Sequence, residues 1–154
     1  MDREGIPETL TDPKDKLILV VDDDESLLDL IEHLVRKEGF RVARGVDGQE
    51  ALSKAQALKP DLILLDFMLP GMGGYEVVKE LQTAETSAIP IVVITGRRLD
   101  RSSIEMMRQE RNVRDFMEKP LKPAFLSAVL HRLLKTRPPE IKRAPDRGPL
   151  GSNW

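Results

Sequence analysis

The sequence has no cysteine, no long apolar run and no strong excess of charge of one sign. Without cysteine there can be no disulfide framework, thiolate metal site or cysteine nucleophile. No apolar run approaches the ~20 residues needed to cross a bilayer, and the N-terminal segment lacks the basic start and apolar stretch of a signal peptide. Lys and Arg (24) nearly balance Asp and Glu (26), so no excess of positive charge attracts nucleic acid or a membrane surface. We therefore expect a cytoplasmic protein that binds neither nucleic acid nor membranes.

The composition along the 154 residues predicts one domain with loose ends. Residues 1–15 are polar and contain two prolines, so we expect a flexible leader. Residues 16–136 alternate short apolar runs with amphipathic segments five times. Residues 137–154 are rich in proline, glycine and charge, which predicts a disordered tail. Within that tail, Gly148–Ser152 resembles a vector-derived protease-site remnant and receives no functional weight.

The alternation of apolar runs and amphipathic segments predicts an α/β fold. Three runs are continuously apolar, which is typical of strands buried on both faces of a parallel sheet: 17–21, 62–65 and 91–94. Residues 40–43 and 113–117 alternate more and predict weaker strands. The expected architecture is therefore a three-layer, doubly wound (βα)5 fold with a parallel five-stranded sheet. The fourth helix, about Arg101–Arg111, has a narrow apolar stripe, so we expect it to be the least firmly anchored.

Polar side chains stand directly after four of the predicted strands. Asp22–Asp24 follow the first, Asp66 the third and Thr95 the fourth, and Lys119 comes shortly after the fifth. Ligands of open parallel sheets bind in the crevice outside the carboxyl ends of the strands. Clustered carboxylates repel one another unless a dication neutralises them, and Mg²⁺ prefers a few carboxylates completed by water and phosphate oxygens. The pattern suits a metal-assisted phosphoryl transfer to an aspartate.

Each of these residues also has an ordinary explanation. Asp24 is best explained as a helix cap. Asp66 ends an apolar run and is followed by further apolar residues, so helix capping does not explain it. A carboxylate beside a bound dication can attack a phosphoryl group to give an acyl phosphate. Thr95 could donate a hydrogen bond to a phosphoryl oxygen, and Lys119 could supply positive charge there. The ordered combination indicates function more strongly than any single member.

In this order the motifs resemble the response-regulator receiver domain of two-component signalling, over about residues 16–135. The matching segments are Val20–Asp23, Leu64–Gly74, Ile94–Gly96 and Phe116–Pro120. The resemblance implies the flavodoxin-like topology of receivers and a Mg²⁺-dependent phospho-acceptor switch rather than an enzyme. Little chain follows residue 136, so we expect a single-domain receiver acting by protein contact, or a receiver cut from a larger protein.

The resemblance also implies roles for individual residues. Asp66 would accept the phosphoryl group from a histidine kinase, a phosphotransfer protein or a small donor. Thr95 and Lys119 would hold the phosphoryl oxygens. Mg²⁺, for which Mn²⁺ could substitute, would be bound by oxygen ligands from Asp22, Asp23, Asp66 and the backbone carbonyl of Met68.

The resemblance also implies a conformational switch and residues that set the lifetime of the acyl phosphate. Phe116 would turn inward as Thr95 moves toward the phosphate, changing the surface of the fourth helix, fifth strand and fifth helix for a downstream target or a phosphorylation-promoted homodimer. Met68 and Arg97 would tune the lifetime of the acyl phosphate. The Lys119–Pro120 peptide bond would be cis, an isomer that costs little before proline.

Several features depart from the usual receiver pattern. Phe116 stands where tyrosine is commoner, and arginines flank the fourth helix at positions 101, 108, 111 and 114. The arginines indicate either a solvated charged face or a docking surface for an acidic partner. Met106 and Met107 suit either an adaptable contact surface or ordinary core filling. His33 and His131 are expected to be ordinary helix residues.

Three alternatives remain open beside the receiver. A phosphorylation-independent receiver-like scaffold would keep the fold without using the site. An aspartyl-phosphate phosphatase would need a second aspartate two residues after the nucleophile, where this chain has Met68. A flavodoxin-like cofactor binder is disfavoured because the acidic loop after the first strand would repel a flavin phosphate.

Overall fold

A computed structural model describes residues 9–96 and 99–139 of the chain. A short 3-10 turn at Pro13–Asp15 precedes five strands and five α-helices that alternate along these residues. Their bounds are β1 (Leu17–Val21), α1 (Glu25–Lys37), β2 (Arg41–Gly45), α2 (Gly48–Leu58), β3 (Leu62–Asp66), α3 (Gly74–Glu80), β4 (Ile91–Thr95), α4 (Arg101–Arg108), β5 (Val113–Glu118) and α5 (Pro123–Leu134). The strands form one parallel sheet in the order β2-β1-β3-β4-β5. The predicted fold class is confirmed.

The sheet separates two apolar layers because alternate residues of a strand point to opposite faces. Ile18 and Val20 of β1 belong to the cluster with α1 and α5, whereas Leu19 and Val21 belong to the cluster with α2, α3 and Met107 of α4. Every residue of β3 and β4 is buried. The central strands are therefore continuously apolar because both of their faces are covered.

An aspartate is the N-cap of three helices and so marks the point after a strand where each helix begins. Asp24, Asp47 and Asp100 each accept hydrogen bonds from backbone N–H groups in the first turn of α1, α2 and α4. A side-chain oxygen at this position satisfies amides that have no partner within the helix. The prediction that Asp24 is a helix cap is confirmed.

The edges of the fold differ from the prediction by a few residues. β2 lies at Arg41–Gly45 rather than 40–43, and Phe40 is buried just before it. α4 ends at Arg108 rather than Arg111. Met107 is the buried residue of this helix, whereas Met106 is 45% exposed. Of the two predicted roles, core filling therefore applies to Met107 and surface exposure to Met106.

The segment just before β1 differs from the predicted flexible leader. Thr11 forms a parallel bridge with Thr136, and its backbone hydrogen-bonds to Lys135 and Arg137 beyond α5. Pro13 is buried against Gly39, whose φ of +101° suits glycine. These contacts hold part of the leader against the ends of α1 and α5.

The remaining terminal predictions fall on residues 1–8 and 140–154, including the proposed vector remnant, and lie outside the described residues. Among the residues that the structure describes, no helix is both long enough and apolar enough to cross a membrane.

Candidate functional site

The predicted polar residues meet at the carboxyl edge of the sheet. Asp22 follows β1, Asp66 ends β3, Thr95 ends β4 and Lys119 follows β5. The parallel register pairs Asp66 with Ile94, and the Lys119 backbone N–H donates to the Thr95 carbonyl at 2.8 Å. The strand ladder thus brings residues 22, 66, 95 and 119 together despite their separation in sequence.

Lys119 lies between two buried carboxylates. Its Nζ atom is 3.0 Å from Asp22 Oδ2 and 3.4 Å from Asp66 Oδ2. Asp22 and Asp66 are 1% and 2% exposed, whereas Asp23 is exposed. One carboxylate oxygen from each of the three aspartates lies within 4.8 Å of the other two. Two buried carboxylates and one exposed carboxylate therefore form an anionic cluster, and the Lys119 ammonium contacts the two buried ones.

Burial raises the pKa of the Asp66 carboxyl above its ordinary value, because removal from water disfavours the charged form. The Met68 backbone N–H, 3.2 Å from Asp66 Oδ1, and the Lys119 ammonium oppose the rise, whereas the charge of Asp22 adds to it. The carboxylate is therefore less stable than an exposed one and gains more from any added positive charge.

Lys119 responds in the opposite sense. Burial alone would lower its pKa, but the close contact with Asp22 and the charges of Asp66 and Asp22 together outweigh that effect and raise it. The side chain consequently remains a cation that pairs with either carboxylate.

Asp22 has an oxygen that the described residues leave without a well-directed hydrogen bond. Its Oδ1 accepts from the Asp24 N–H at 2.9 Å, but its buried Oδ2 has only the ion-pair contact with Lys119. A buried carboxylate oxygen is normally hydrogen-bonded or bound to a metal. The donor set contains oxygen only, so the residues present fit a hard dication such as Mg²⁺.

The loop between Asp66 and α3 closes tightly. Gly74 N donates to the Phe67 carbonyl at 2.9 Å, and a Cβ at Gly74 would lie 2.7 Å from Phe67 Cα. Met68 directs its backbone N–H to Asp66, while its side chain is 62% exposed. Its backbone therefore contacts Asp66 directly, and the predicted roles of Met68 in metal binding and lifetime tuning stay predictions.

A groove joins the site to α4 and β5. Its volume is about 600 Å³, and it is lined by residues of both elements and the segments beside them, including Thr95, Leu99, Ile104, Phe116 and Met117. Thr95 is 3% exposed, whereas Phe116 is half-buried. The Lys119–Pro120 peptide bond is cis, in agreement with the sequence expectation. Arg97, the second predicted lifetime-tuning residue, lies outside the described residues.

Two contacts at this end of the molecule were missed by the sequence analysis. Lys119 pairs with Asp22 as well as with Asp66, whereas the sequence predicts a contact with phosphoryl oxygens alone. The Arg108 guanidinium lies over the Phe116 ring, 5.5 Å from its centroid. In the sequence, only the presence of Phe116 after the arginine-bearing α4 indicates such a contact. It does not specify which arginine lies over the ring.

Comparisons with known proteins agree with the geometry. A family model of the response regulator receiver domain matches residues 18–131. The chain is 38% identical over 120 residues to the alkaline phosphatase synthesis transcriptional regulatory protein PhoP of Bacillus subtilis, covering 78% of this chain and 49% of the relative. It is 41% identical over 118 residues to the DNA-binding response regulator MtrA of Mycobacterium tuberculosis, covering 77% and 50%. The chain thus spans about half the length of these relatives.

Solved structures give the same result. The receiver domain of a sensor histidine kinase from Pseudomonas aeruginosa, solved with magnesium in its active-site cleft, superposes with a TM-score of 0.70 at 31% identity, covering 77% of this chain and 97% of that one. Chemotaxis protein CheY4 of Vibrio cholerae superposes with a TM-score of 0.71 at 29% identity, covering 77% and 98%.

Proposed function

The chain belongs to the response regulator receiver domain family, and from this premise we propose that it is a phospho-acceptor switch with Asp66 as the acceptor. The observation that carries the proposal is the position of Asp66, buried at a sheet edge beside Lys119 and two further aspartates. An ion pair would need only one carboxylate beside Lys119, whereas three clustered carboxylate oxygens suit a site that holds a dication next to a phosphoryl group.

The proposed reaction uses the residues in the roles that their positions allow. An Asp66 oxygen attacks the phosphorus of the donor, and the bond to the donor's leaving atom breaks with its electron pair remaining on the donor. Lys119 and Thr95 hold phosphoryl oxygens. A bound Mg²⁺ would supply positive charge to the carboxylates and phosphoryl oxygens, and its ligands would come from Asp22, Asp23, Asp66 and the Met68 carbonyl.

Phosphorylation then changes the balance of charge around Lys119. The new group adds about −1.5 to −2 charges and three acceptor oxygens, which compete with Asp22 for the ammonium. Thr95 moves toward the phosphoryl group, and Phe116 turns into the groove that both residues line. The proposed output is a changed surface on α4, β5 and α5, read by a target protein or a second copy.

The partners we propose are a histidine kinase or phosphotransfer protein upstream and a target protein downstream. The chain would catalyse only its own phosphorylation and dephosphorylation, so it would not be an enzyme for other substrates. The DNA binding in the name of MtrA describes that longer protein, and the output proposed here is protein contact. Arg101, Arg108, Arg111 and Arg114 are all exposed, which supports both a solvated face and an acidic partner.

Intact-mass measurement tests the proposal. The protein is incubated with Mg²⁺ and acetyl phosphate, and Asp66→Asn and EDTA serve as controls. The matched variant is Asp29→Asn, which makes the same change at a side chain that is 71% exposed. We expect one labile phosphoryl adduct on the wild type and on Asp29→Asn, and none on Asp66→Asn or with EDTA.

The opposite result would be an adduct that survives Asp66→Asn, which would refute Asp66 as the acceptor. If acetyl phosphate and a phosphorylated histidine kinase both leave the mass unchanged, the phosphorylation-independent scaffold becomes the better explanation.

A further inference from the structure

The contact between Arg108 and Phe116 lies beside the site but belongs to none of the roles assigned so far. Arg108 is the last residue of α4, and its guanidinium carbon lies 5.5 Å from the centroid of the Phe116 ring. A guanidinium within about 6 Å of a ring centroid is attracted by the negative charge of the ring face. Arg108 is exposed and Phe116 is half-buried, so the contact covers the solvent side of the ring.

Neighbouring contacts fix Arg108 relative to β5. Met107, the preceding residue, is fully buried and anchors the end of α4 in the core. Two residues after Arg108, the Glu110 carbonyl accepts a hydrogen bond from the Val113 N–H at 3.1 Å. The Glu110 side chain pairs with Lys79 at 3.1 Å. The arginine therefore extends from a backbone that is held on both sides, and its position over Phe116 does not depend on a loose loop.

The groove beside Phe116 offers the ring a second position. The groove of about 600 Å³ is lined by Phe116 and Thr95 together, with Leu99, Ile104 and Met117 as apolar neighbours. A phenylalanine has no hydroxyl group with which to hold either position by a hydrogen bond. The ring's position is therefore decided by packing and by its contact with Arg108.

We propose that Arg108 is a positioning residue that holds Phe116 in the half-buried position and so opposes switching. The inference rests on the proposed function, in which Phe116 turns inward. Inward movement would give up the stacking contact, so Arg108 stabilises the resting state selectively. Removing the guanidinium raises the population of the inward state, and a ligand that prefers that state then binds at lower concentration.

Fluorine NMR of the protein labelled with 4-fluorophenylalanine follows the ring directly. The four phenylalanines give separate signals, and Phe116→Leu assigns the relevant one. Mg²⁺ and beryllofluoride, a non-transferable phosphoryl mimic, are titrated into the wild type, Arg108→Ala, Arg108→Lys and Arg101→Ala. Arg101 is the matched control, because it is an exposed arginine of the same helix lining the same groove.

We expect Arg108→Ala to move the resting Phe116 signal toward its beryllofluoride-bound position and to lower the titration midpoint about two- to five-fold, as an exposed cation–π contact allows. Arg108→Lys should lie between Ala and wild type, because it keeps the charge without the planar group. Arg101→Ala should match the wild type. In a Phe116→Leu background, Arg108→Ala should no longer change the midpoint of the beryllofluoride titration. Because the Phe116 signal is absent there, the midpoint is measured from the increase in stability against unfolding.

Three results would overturn the inference: an unchanged resting signal and midpoint in Arg108→Ala, equal shifts in Arg101→Ala, or persistence of the Arg108 effect without the Phe116 ring. A wild-type Phe116 signal that ignores beryllofluoride would instead contradict the proposed switch. The resting signals of Arg108→Ala and Arg101→Ala would still decide whether Arg108 positions the ring.

Discussion

At the scale of single residues, Asp66 shows how a buried carboxylate weakens the fold that holds it. Its pKa is raised, first by burial and then by Asp22. An unfolded aspartate titrates near 3.9, so the unfolded state releases its proton at lower pH than the folded state. The stability associated with this group is therefore full below the unfolded value and is lost as pH rises through the folded value.

It follows that Asp66→Asn should be more stable than the wild type at neutral pH without metal. The amide keeps the shape of the side chain and removes the buried charge. Urea unfolding in EDTA from pH 4 to pH 8 measures the difference, which we expect to shrink toward acidic pH. Asp29→Asn controls for the lost charge, and an Asp66→Asn variant that is less stable throughout would contradict the electrostatic explanation.

Gly74 is needed for the close approach of two backbone segments beside the site. A Cβ there would lie 2.7 Å from Phe67 Cα and 2.8 Å from the Phe67 carbonyl oxygen, whereas a Cβ at Gly73 would meet nothing within 4 Å. Gly74→Ala should therefore cost about 1–3 kcal/mol of unfolding free energy, the range for overpacking. Gly73→Ala should cost clearly less. Equal losses in chemical denaturation would show that the loop adjusts freely.

At the scale of elements, α4 buries little, so we expect its N-cap to contribute much of its stability. It buries Met107 alone, and the Asp100 carboxylate accepts from the Ser103 N–H at 2.7 Å. That hydrogen bond lowers the pKa of Asp100. Its stabilisation is therefore present above the unfolded pKa and is lost as pH falls through the folded value.

Asp100→Ala should accordingly speed amide hydrogen exchange in the first turn of α4, with little change in α1. Asp100→Asn should retain most of the protection, because asparagine caps helices about as well as aspartate. Exchange followed by NMR distinguishes the two variants. Protection that is identical in all three proteins would mean that α4 is held by packing rather than by its cap.

The elements also show which features could be predicted from sequence. β1, β3 and β4 are buried on both faces, so the sequence predicts these strands from their apolar runs and marks the polar residues that follow them. The edge strand β2 was placed early because Phe40 is apolar and buried yet precedes the strand. The stacking of Arg108 on Phe116 depends on how α4 packs against β5, which no local pattern records.

At the scale of the whole molecule, a partly buried polar network joins α1 and α5 to the segment before β1. His131 contacts Thr136 Oγ1 at 2.7 Å and Glu38 Oε1 at 2.9 Å, and Glu38 also accepts from Ser127 at 2.7 Å. Thr136 in turn pairs with Thr11. His131 is a helix residue as expected, but the sequence did not show that it links α1, α5 and the segment before β1.

Thr136→Val should leave the buried His131 Nδ1 without its partner and cost about 1–3 kcal/mol. Thr11→Val makes the same change at an exposed hydroxyl whose hydrogen bond to Lys135 is 3.3 Å long, so we expect a loss within about 0.5 kcal/mol. Urea denaturation of both variants provides the comparison. A larger loss at Thr11 would place the stabilisation in the terminal bridge rather than in the histidine network.

If the cluster of Asp22, Asp23 and Asp66 binds Mg²⁺, the cation should stabilise the whole domain. A ligand that binds only the folded state stabilises it by about 2.7 kcal/mol at a hundredfold excess over Kd. Because a dication would relieve the repulsion among Asp22, Asp23 and Asp66, Mg²⁺ should raise Tm by several degrees. Asp23→Asn removes an exposed carboxylate of the predicted ligand set without disturbing the core, so it should weaken the Mg²⁺ dependence at least several-fold. Asp29→Asn should preserve it. If both variants respond to Mg²⁺ like the wild type in thermal scans, the cation acts by general screening and the predicted ligand set is wrong.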